Sequence, residues 1–404
     1  MLKERPDRKK GLGLPVIVAM VALTFTAAAC SSSPSASTTS SSSKSPVVIA
    51  SVEDLTGPNS ADGLGGQAGV LAAVKYINDT GGIDGHKVTV QTYDMASDPT
   101  TAEGVILKAE SAKPDALTGA LESTESVAAA SAISSGDIPW VSASYPVPET
   151  NSLPFFFLDA PAGAGVAAGA VDAVKALLGG SLTGKKIAFE GLISPAVNSN
   201  LAAIESLIKT DGGTVGPIIR DPLTFTSWSS QAAKVMAAKP AAIITNHDEP
   251  MTAIVAEGLG VAGFKGPIVS TEGAASNVML SAANVPNFYA VRENVVPLPG
   301  SASYKAGVAA GQTPTNMSSQ NFGKEFADVY VIADTLRKCG VPCSTPKFDS
   351  TLKALGNIAI PDDLMAGPLN FSHGQVGLTE AQLWKWDPST KASVSVGPVY
   401  SISS

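Results

Sequence analysis

Short apolar runs alternate with longer amphipathic segments along this chain, and this pattern limits its fold more than any other feature. In the first half, strands are predicted at 47–50, 88–93, 116–118 and 138–142, and helices at 63–78, 100–111 and 126–134. The pattern restarts after residue 160, with strands predicted at 187–190, 215–220, 242–245 and 267–270, and helices at 200–209, 229–238 and between the last two strands. β-branched runs favour strands, and apolar residues three or four apart favour helices.

Two successive strand–helix series predict an α/β protein with two doubly wound parallel-sheet lobes. The length of 404 residues suits two domains of roughly 100–200 residues each. Ligands of open α/β sheets bind beyond the carboxyl ends of the strands. Two facing lobes are therefore expected to form a cleft between their strand-end loops, although the fold class alone leaves the function open.

The N-terminus has the pattern of a processing signal. A basic group ending at Lys10 precedes an apolar stretch, which ends in Ala27-Ala28-Ala29-Cys30. Small residues directly before a cysteine resemble a bacterial lipobox, so residues 1–29 are predicted to be removed and Cys30 to be lipidated. A plain signal peptide or a membrane anchor is the alternative, since about 20 apolar residues can span a bilayer.

Residues 30–46 are predicted to be the lipidated cysteine and a serine-rich tether. Residues 31–46 contain almost no apolar side chains, and as a flexible coil they would span roughly 20–25 Å. Two acyl chains would hold the protein on a membrane without spanning it. The expected location is therefore the outer face of the cytoplasmic membrane.

The charge of the chain argues against nucleic acid as a partner. The full chain has a formal net charge of −8, and removal of residues 1–29 leaves 22 basic against 33 acidic residues, a net charge of −11. A nucleic-acid-binding surface needs clusters of basic residues, and an acidic chain without them does not provide one.

Cys339 and Cys343 stand close together near the end of a predicted helix. Outside the cytoplasm such a pair favours a disulfide that closes a short loop. A redox motif would have two intervening residues rather than three, and a metal site would need further ligands nearby. No metal and no cofactor are predicted.

Several motifs, in this order and spacing, resemble the branched-chain amino-acid-binding family of ABC-importer receptors. They lie at 53–60, Gly63, Gly69, 77–85, Tyr93-Asp94, Asp98-Pro99, Thr118-Gly119, 138–142, 270–273 and 365–371. The resemblance covers about residues 46–386, nearly all of the predicted mature protein.

The resemblance implies a periplasmic-binding-protein type I fold with three crossings between lobes. Lobe one would comprise 47–160 and 293–372, and lobe two 161–292 and 373–404. It implies a monomer that closes around a small solute (an amino acid, an amide or an aromatic acid) and delivers it to an ABC permease. A ligand sensor or scavenger that signals to a partner is the alternative for the same fold.

The resemblance also indicates site residues in lobe one. Ser123 and Thr124 stand where the family grips a carboxylate, and a helix start there would add free N–H groups. Ser123 could instead merely cap that helix. Ser144 and Tyr145 belong to a second loop, in which Tyr145 could stack on a ring or lie on the surface. Asp62 stands where some members have a tyrosine.

In lobe two, Glu272 matches the family's acidic partner for an ammonium group, or could cap the next helix. Asn246 and Asp248 follow another predicted strand, where the family often has an aromatic residue. The family's other acid has no clear counterpart, Asp159 being the nearest. These departures leave the solute open.

An enzyme is not expected. Residues 63–68 resemble a glycine-rich dinucleotide motif, but they lie about a dozen residues after Ala50 instead of directly after the strand. The chain has no G-x-S-x-G or H-E-x-x-H motif, and His86, His247 and His373 are far apart in sequence. We therefore predict a binding protein.

Overall fold

The computed structural model describes residues 44–161, 163–271, 285–390 and 392–402. The predicted signal peptide, Cys30 and Glu272 lie outside the described residues.

A first sheet holds five parallel strands in the order β2-β1-β3-β4-β5. The strands are β1 (Val47–Glu53), β2 (Val88–Asp94), β3 (Ala116–Thr118), β4 (Trp140–Ser142) and β5 (Phe156–Leu158). The helices between them are α1 (Ser60–Asp79), α2 (Pro99–Ser111), α3 (Ser123–Ala128) and α4 (Ala130–Ser135). The predicted helix at 126–134 is thus two short helices, separated at Ala129, whose backbone leaves the helical region.

A second sheet holds seven strands in the order β14-β13-β10-β9-β8-β6-β7. These strands are β6 (Lys186–Leu192), β7 (Thr214–Asp221), β8 (Ala242–Asn246), β9 (Ile268–Ser270), β10 (Phe288–Arg292), β13 (Glu380–Asp387) and β14 (Ala392–Ser401). Strands β6 to β10 are parallel, and β13 and β14 pair antiparallel at one edge. The helices of this part are α5 (Gly163–Leu177), α6 (Pro195–Thr210), α7 (Ser229–Ala238) and α8 (Glu249–Val261).

Between β10 and β13 the chain adds a group of helices that pack on the first sheet. They are α9 (Ala302–Ala309), α10 (Pro314–Met317), α11 (Gln320–Cys339) and α12 (Thr345–Ala354), followed by β11 (Asn357–Ile358), the 3₁₀ helix Pro361–Asp363 and β12 (Leu369–Asn370). The long helix α11 packs against α1. A side chain at Gly69 would place its Cβ 2.3 Å from the Phe322 carbonyl oxygen, so glycine is what allows this close approach.

The described chain passes between the two sheets three times. It leaves the first sheet between β5 and α5, returns between β10 and α9, and leaves again between β12 and β13. The predicted fold class, with two lobes of parallel α/β structure, is confirmed. We call the part built on the first sheet lobe one and the part built on the second sheet lobe two.

Cys339 ends α11 and is joined to Cys343 in a disulfide, with their Cα atoms 5.8 Å apart. The bond closes the loop that leads to α12. This is the pairing that the sequence predicted.

Candidate functional site

A cleft lies between the strand-end loops of the two lobes and has a volume of about 810 Å³, part of which is open solvent. Its lobe-one wall consists of Asp54, Asn59, Asp62, Gly63, Ala120, Leu121, Glu122, Ser123, Ala143, Tyr145, Gln320 and Asn321. Its lobe-two wall consists of Leu192, Ser194, Ala196, Val197, Asn200, Asn246, His247 and Asp248. The cleft is therefore polar on both sides.

The topology explains why these residues meet. In a parallel α/β sheet each strand ends, and the following helix begins, at the same edge of the sheet. Asp54 follows β1, Glu122 precedes α3, and Asp248 precedes α8. The cleft thus collects helix starts from both lobes, including those of α1, α6 and α11.

Five predicted site residues line the cleft: Asp62, Ser123, Tyr145, Asn246 and Asp248.

Two other predicted site residues lie outside the cleft wall. Thr124 is exposed on α3 and does not line the cleft. Ser144 is 1% exposed, and its Oγ accepts a hydrogen bond of 2.7 Å from the backbone N–H of Leu121. Ser144 therefore supports the loop that carries the wall.

Ser123 joins the two lobes. Its Oγ accepts a hydrogen bond of 3.4 Å from the backbone N–H of Ala196, which lies in the first turn of α6. This N–H is one of the donors that a helix leaves without an internal partner at its start. In this conformation, then, the Ser123 oxygen is engaged by lobe two.

A group of carboxylates occupies the lobe-one wall. The pKa of Glu122 is raised to about 7 by burial and by the nearby charges of Asp62 and Asp54, with Lys324 acting in the opposite direction. Behind it, burial and the charges of Asp54 and Glu122 raise the pKa of Glu125 to about 9. Burial and like charges held this close both favour protonation, so part of this wall is protonated near neutral pH and gains negative charge as the pH rises.

The lobe-two wall contains a chain of neutral polar groups. The Asn200 Nδ2 donates to Asn246 Oδ1 at 2.9 Å, and the Asn246 Nδ2 donates to Thr271 Oγ1. Both polar ends of the Asn246 amide are thereby used. This arrangement fixes the orientation of Asn200, whose Oδ1 remains an acceptor on the wall.

His247 is held in its neutral form. Its Nε2 donates to the Pro222 carbonyl oxygen at 2.9 Å, while its Nδ1 accepts from the backbone N–H of Asp248 at 2.9 Å. Burial lowers the pKa of His247. Since one ring nitrogen accepts a hydrogen bond and cannot also hold a proton, His247 adds no positive charge to the cleft.

Tyr145 separates the cleft from a buried ion pair. Lys324 donates to the Tyr145 hydroxyl at 2.8 Å and lies over its ring, 4.2 Å from the ring centre. Lys324 also forms a salt bridge with Glu293, and both side chains are 1% exposed. The lysine charge is therefore balanced behind the wall.

More buried acids surround this pair, away from the cleft lining. Burial raises the pKa of Glu53 to about 8 and that of Asp159 to about 7, and it raises the pKa values of Glu325 and Asp328 well above their ordinary values. Across the described ranges, with their gaps at 162, 272–284 and 391, no three His, Cys, Asp or Glu residues form a group that could hold a metal ion.

Several cleft residues were not predicted from the sequence. Gln320 and Asn321 are more than 150 residues from Tyr145 in the chain, and their position at the start of α11 was the one signal available. Asn59 directly precedes α1, where a short polar residue is usually interpreted as a cap, and Asn200 lies in the second turn of α6.

A family model described as periplasmic binding protein matches residues 46–388. The chain belongs to the periplasmic binding protein family. This is a family of binding proteins that work outside the cytoplasm, as the sequence analysis expected. No curated protein matches the chain at the level of sequence.

Solved structures of periplasmic binding proteins have the same fold. A fatty acid ABC transporter substrate-binding protein from Thermomonospora curvata is 17% identical, with a TM-score of 0.73 over 88% of this chain and 92% of that one. A branched-chain amino acid transporter substrate-binding protein from Streptococcus pneumoniae, in complex with isoleucine, is 18% identical, with a TM-score of 0.71 over 87% and 100%. An ABC transporter solute-binding protein from R. palustris, in complex with benzoate, is 17% identical, with a TM-score of 0.72 over 88% and 97%.

In the part of the chain that the structure describes, no helix is both long and apolar enough to cross a membrane.

Proposed function

We propose that this periplasmic binding protein is the solute-binding lipoprotein of an ABC importer. It captures a small polar solute in the cleft between its lobes and delivers it to a permease. The observation that carries the proposal is the cleft itself, whose polar walls come from strand ends and helix starts of both lobes.

The two-lobed structure provides a mechanism for capture. A solute that contacts both walls favours the closed arrangement, because the open form lacks half of those contacts. The hydrogen bond between Ser123 and Ala196 is one direct link between the walls. The matching structures include receptors with isoleucine or benzoate bound, which supports a small organic solute here.

A thermal-shift screen of the purified protein against several hundred small polar solutes tests the binding role. A solute that binds the native state alone raises the melting temperature by mass action. Each hit is then measured by calorimetry with the wild type and with Asn200→Ala. A screen without any hit, repeated by equilibrium dialysis, would contradict the proposal.

The lipoprotein part is tested separately. Cys30→Ser should release the protein from the membrane fraction into the medium, because the acyl chains are attached through the cysteine sulfur. Retention that is unchanged by the substitution would argue for another anchor. Uptake of the identified solute by cells with and without the gene then tests delivery to a permease.

A further inference from the structure

The described lining of the cleft contains four carboxylates and no lysine or arginine. The carboxylates are Asp54, Asp62, Glu122 and Asp248. We propose that the cleft selects solutes that carry a net positive charge on a nitrogen, such as amines, amidines and guanidines, over carboxylates. This inference rests on the solute-binding function proposed above.

The basic side chains near the cleft already interact with other groups of the protein. Lys324 lies behind Tyr145 and is paired with Glu293. Arg220 donates to the carbonyl oxygens of Gly191 and Leu192 and to Asn198 Oδ1. His247 is neutral because its two ring nitrogens donate to and accept from the backbone. Neither Lys324 nor Arg220 is part of the described lining, so an anionic solute would meet no lysine or arginine side chain there.

Helix starts usually attract anions, and several of them face this cleft. The chain's own carboxylates stand at three of these helix starts. Asp62 lies in the first turn of α1, Glu122 directly precedes α3, and Asp248 directly precedes α8. The partial positive charges of these three helix starts thus already interact with carboxylates of the protein. A solute carboxylate at the same place would be repelled by them.

A second observation is independent of the acids. Gln320 lines the cleft and is 4% exposed, and its Oε1 has no hydrogen-bond partner among the described residues. A buried acceptor without a partner costs free energy, which a solute N–H would recover. Together with Asn200 Oδ1 in the other wall, it makes the cleft a set of acceptors that suits a hydrogen-bond donor.

The charge preference can be measured with three compounds that share one carbon skeleton and differ in their charged groups. The probes are isoamylamine, L-leucine and 4-methylpentanoate, which carry an ammonium group, both groups and a carboxylate respectively. Agmatine against L-arginine and benzylamine against benzoate repeat the comparison. Calorimetry on the full-length protein in detergent should give each amine an affinity at least about tenfold above that of its carboxylate-bearing counterpart.

The wall residue responsible is tested with Glu122→Gln. This variant should lose about tenfold in amine affinity, and its preference for amines over carboxylates should shrink. Glu103→Gln, on the exposed face of α2, is the matched control and should change neither quantity. The wild-type affinity for amines should also rise from pH 6 to pH 8, because a bound cation favours the ionised form of Glu122. The neighbours Asp54, Asp62, Glu125 and Lys324 set where this rise occurs, and it should be weaker in Glu122→Gln.

The outcomes separate the two proposals. If carboxylates or leucine bind as tightly as the amines, the charge preference is wrong and the binding function stands. If none of these probes binds, the net charge of the hits from the wider screen decides the preference. If nothing in either set binds, the binding function itself is wrong.

Discussion

The interiors of the two lobes differ in the charge that they bury. Lobe one encloses a lysine and several acids where the chain crosses between lobes, among them Asp159 after β5 and Glu293 after β10. In lobe two, Glu190 on β6 is completely buried, while Asp221 at the end of β7 accepts hydrogen bonds from Trp228 and Gln231. The cleft wall of lobe two contains the neutral amides of Asn200 and Asn246 and a single acid, Asp248.

This difference indicates what each lobe contributes to the properties of the cleft. Burial keeps the pKa values of the lobe-one acids high, and repulsion between neighbouring acids adds to it, so the charge of this lobe responds to pH. The amides of lobe two satisfy one another and hold a fixed geometry. We therefore expect lobe one to set the charge preference and pH response, and lobe two to set orientation.

The largest expected effect comes from Lys324→Met, which removes the buried cation. Glu293 would then lack its partner in a dry environment, and breaking a buried pair in this way costs about 3–5 kcal/mol. The melting temperature at pH 8 should fall strongly, and less so at pH 5, where the neighbouring acids can take up protons. Lys175→Met, at a surface pair with Asp211 in lobe two, is the control. If both variants lose the same amount of stability, the buried ion pair of lobe one is worth no more than a surface pair of lobe two, and the proposed difference between the lobes is wrong.

Glu325→Gln is expected to have a smaller effect on stability, and to raise it instead of lowering it. Burial and the charges of Glu53 and Asp159 raise the pKa of Glu325 well above 4.5. The contribution of Glu325 to stability is therefore fully present below about pH 4.5, where its carboxyl group is protonated. That contribution is lost as the pH rises through the pKa of Glu325 in the folded protein. The variant should be more stable than wild type at pH 8, within the roughly 0.5–3 kcal/mol that single substitutions usually change, and close to wild type at pH 5. Denaturant unfolding at both pH values checks this. A gain that does not depend on pH would contradict it.

Glu190→Gln makes the same test in lobe two. Burial and the charge of Asp221 raise the pKa of Glu190, and Arg220 acts against them. Because fewer acids surround it than surround Glu325, we expect a smaller stabilisation at pH 8 than that of Glu325→Gln. A gain larger than that of Glu325→Gln would show that lobe two carries the greater electrostatic strain.

The smallest effect is expected from Asn246→Ala, and it concerns binding. The substitution removes the anchor of Asn200 in the cleft wall, and the loss of one such hydrogen bond costs about 1 kcal/mol, or roughly a fivefold loss of affinity. Calorimetry with an identified solute measures this. Asn370→Ala removes a comparable amide pair with Asn357 far from the cleft, and its affinity should match wild type.

The sequence alone determined the fold class and the general position of the site. Strand and helix patterns are local, so the alternation along the chain identified two lobes, and the rule that ligands bind at strand ends predicted a cleft between their strand-end loops. The resemblance to the branched-chain amino-acid-binding family indicated Asp62, Ser123, Tyr145, Asn246 and Asp248, and these five residues line that cleft. The short β5 and the edge hairpin of β13 and β14 were not predicted, because their local patterns are weak and their pairing is long-range.

Only the tertiary structure decided what the polar residues do. Lys324, Glu325 and Asp328 lie on a helix in a pattern that usually indicates a solvated face, yet all three are buried because α11 packs between α1 and the first sheet. Ser123 faces lobe two, and Gln320 reaches the cleft from a distant part of the chain. Burial and charge depend on what packs against a residue, and its sequence neighbours do not contain that information.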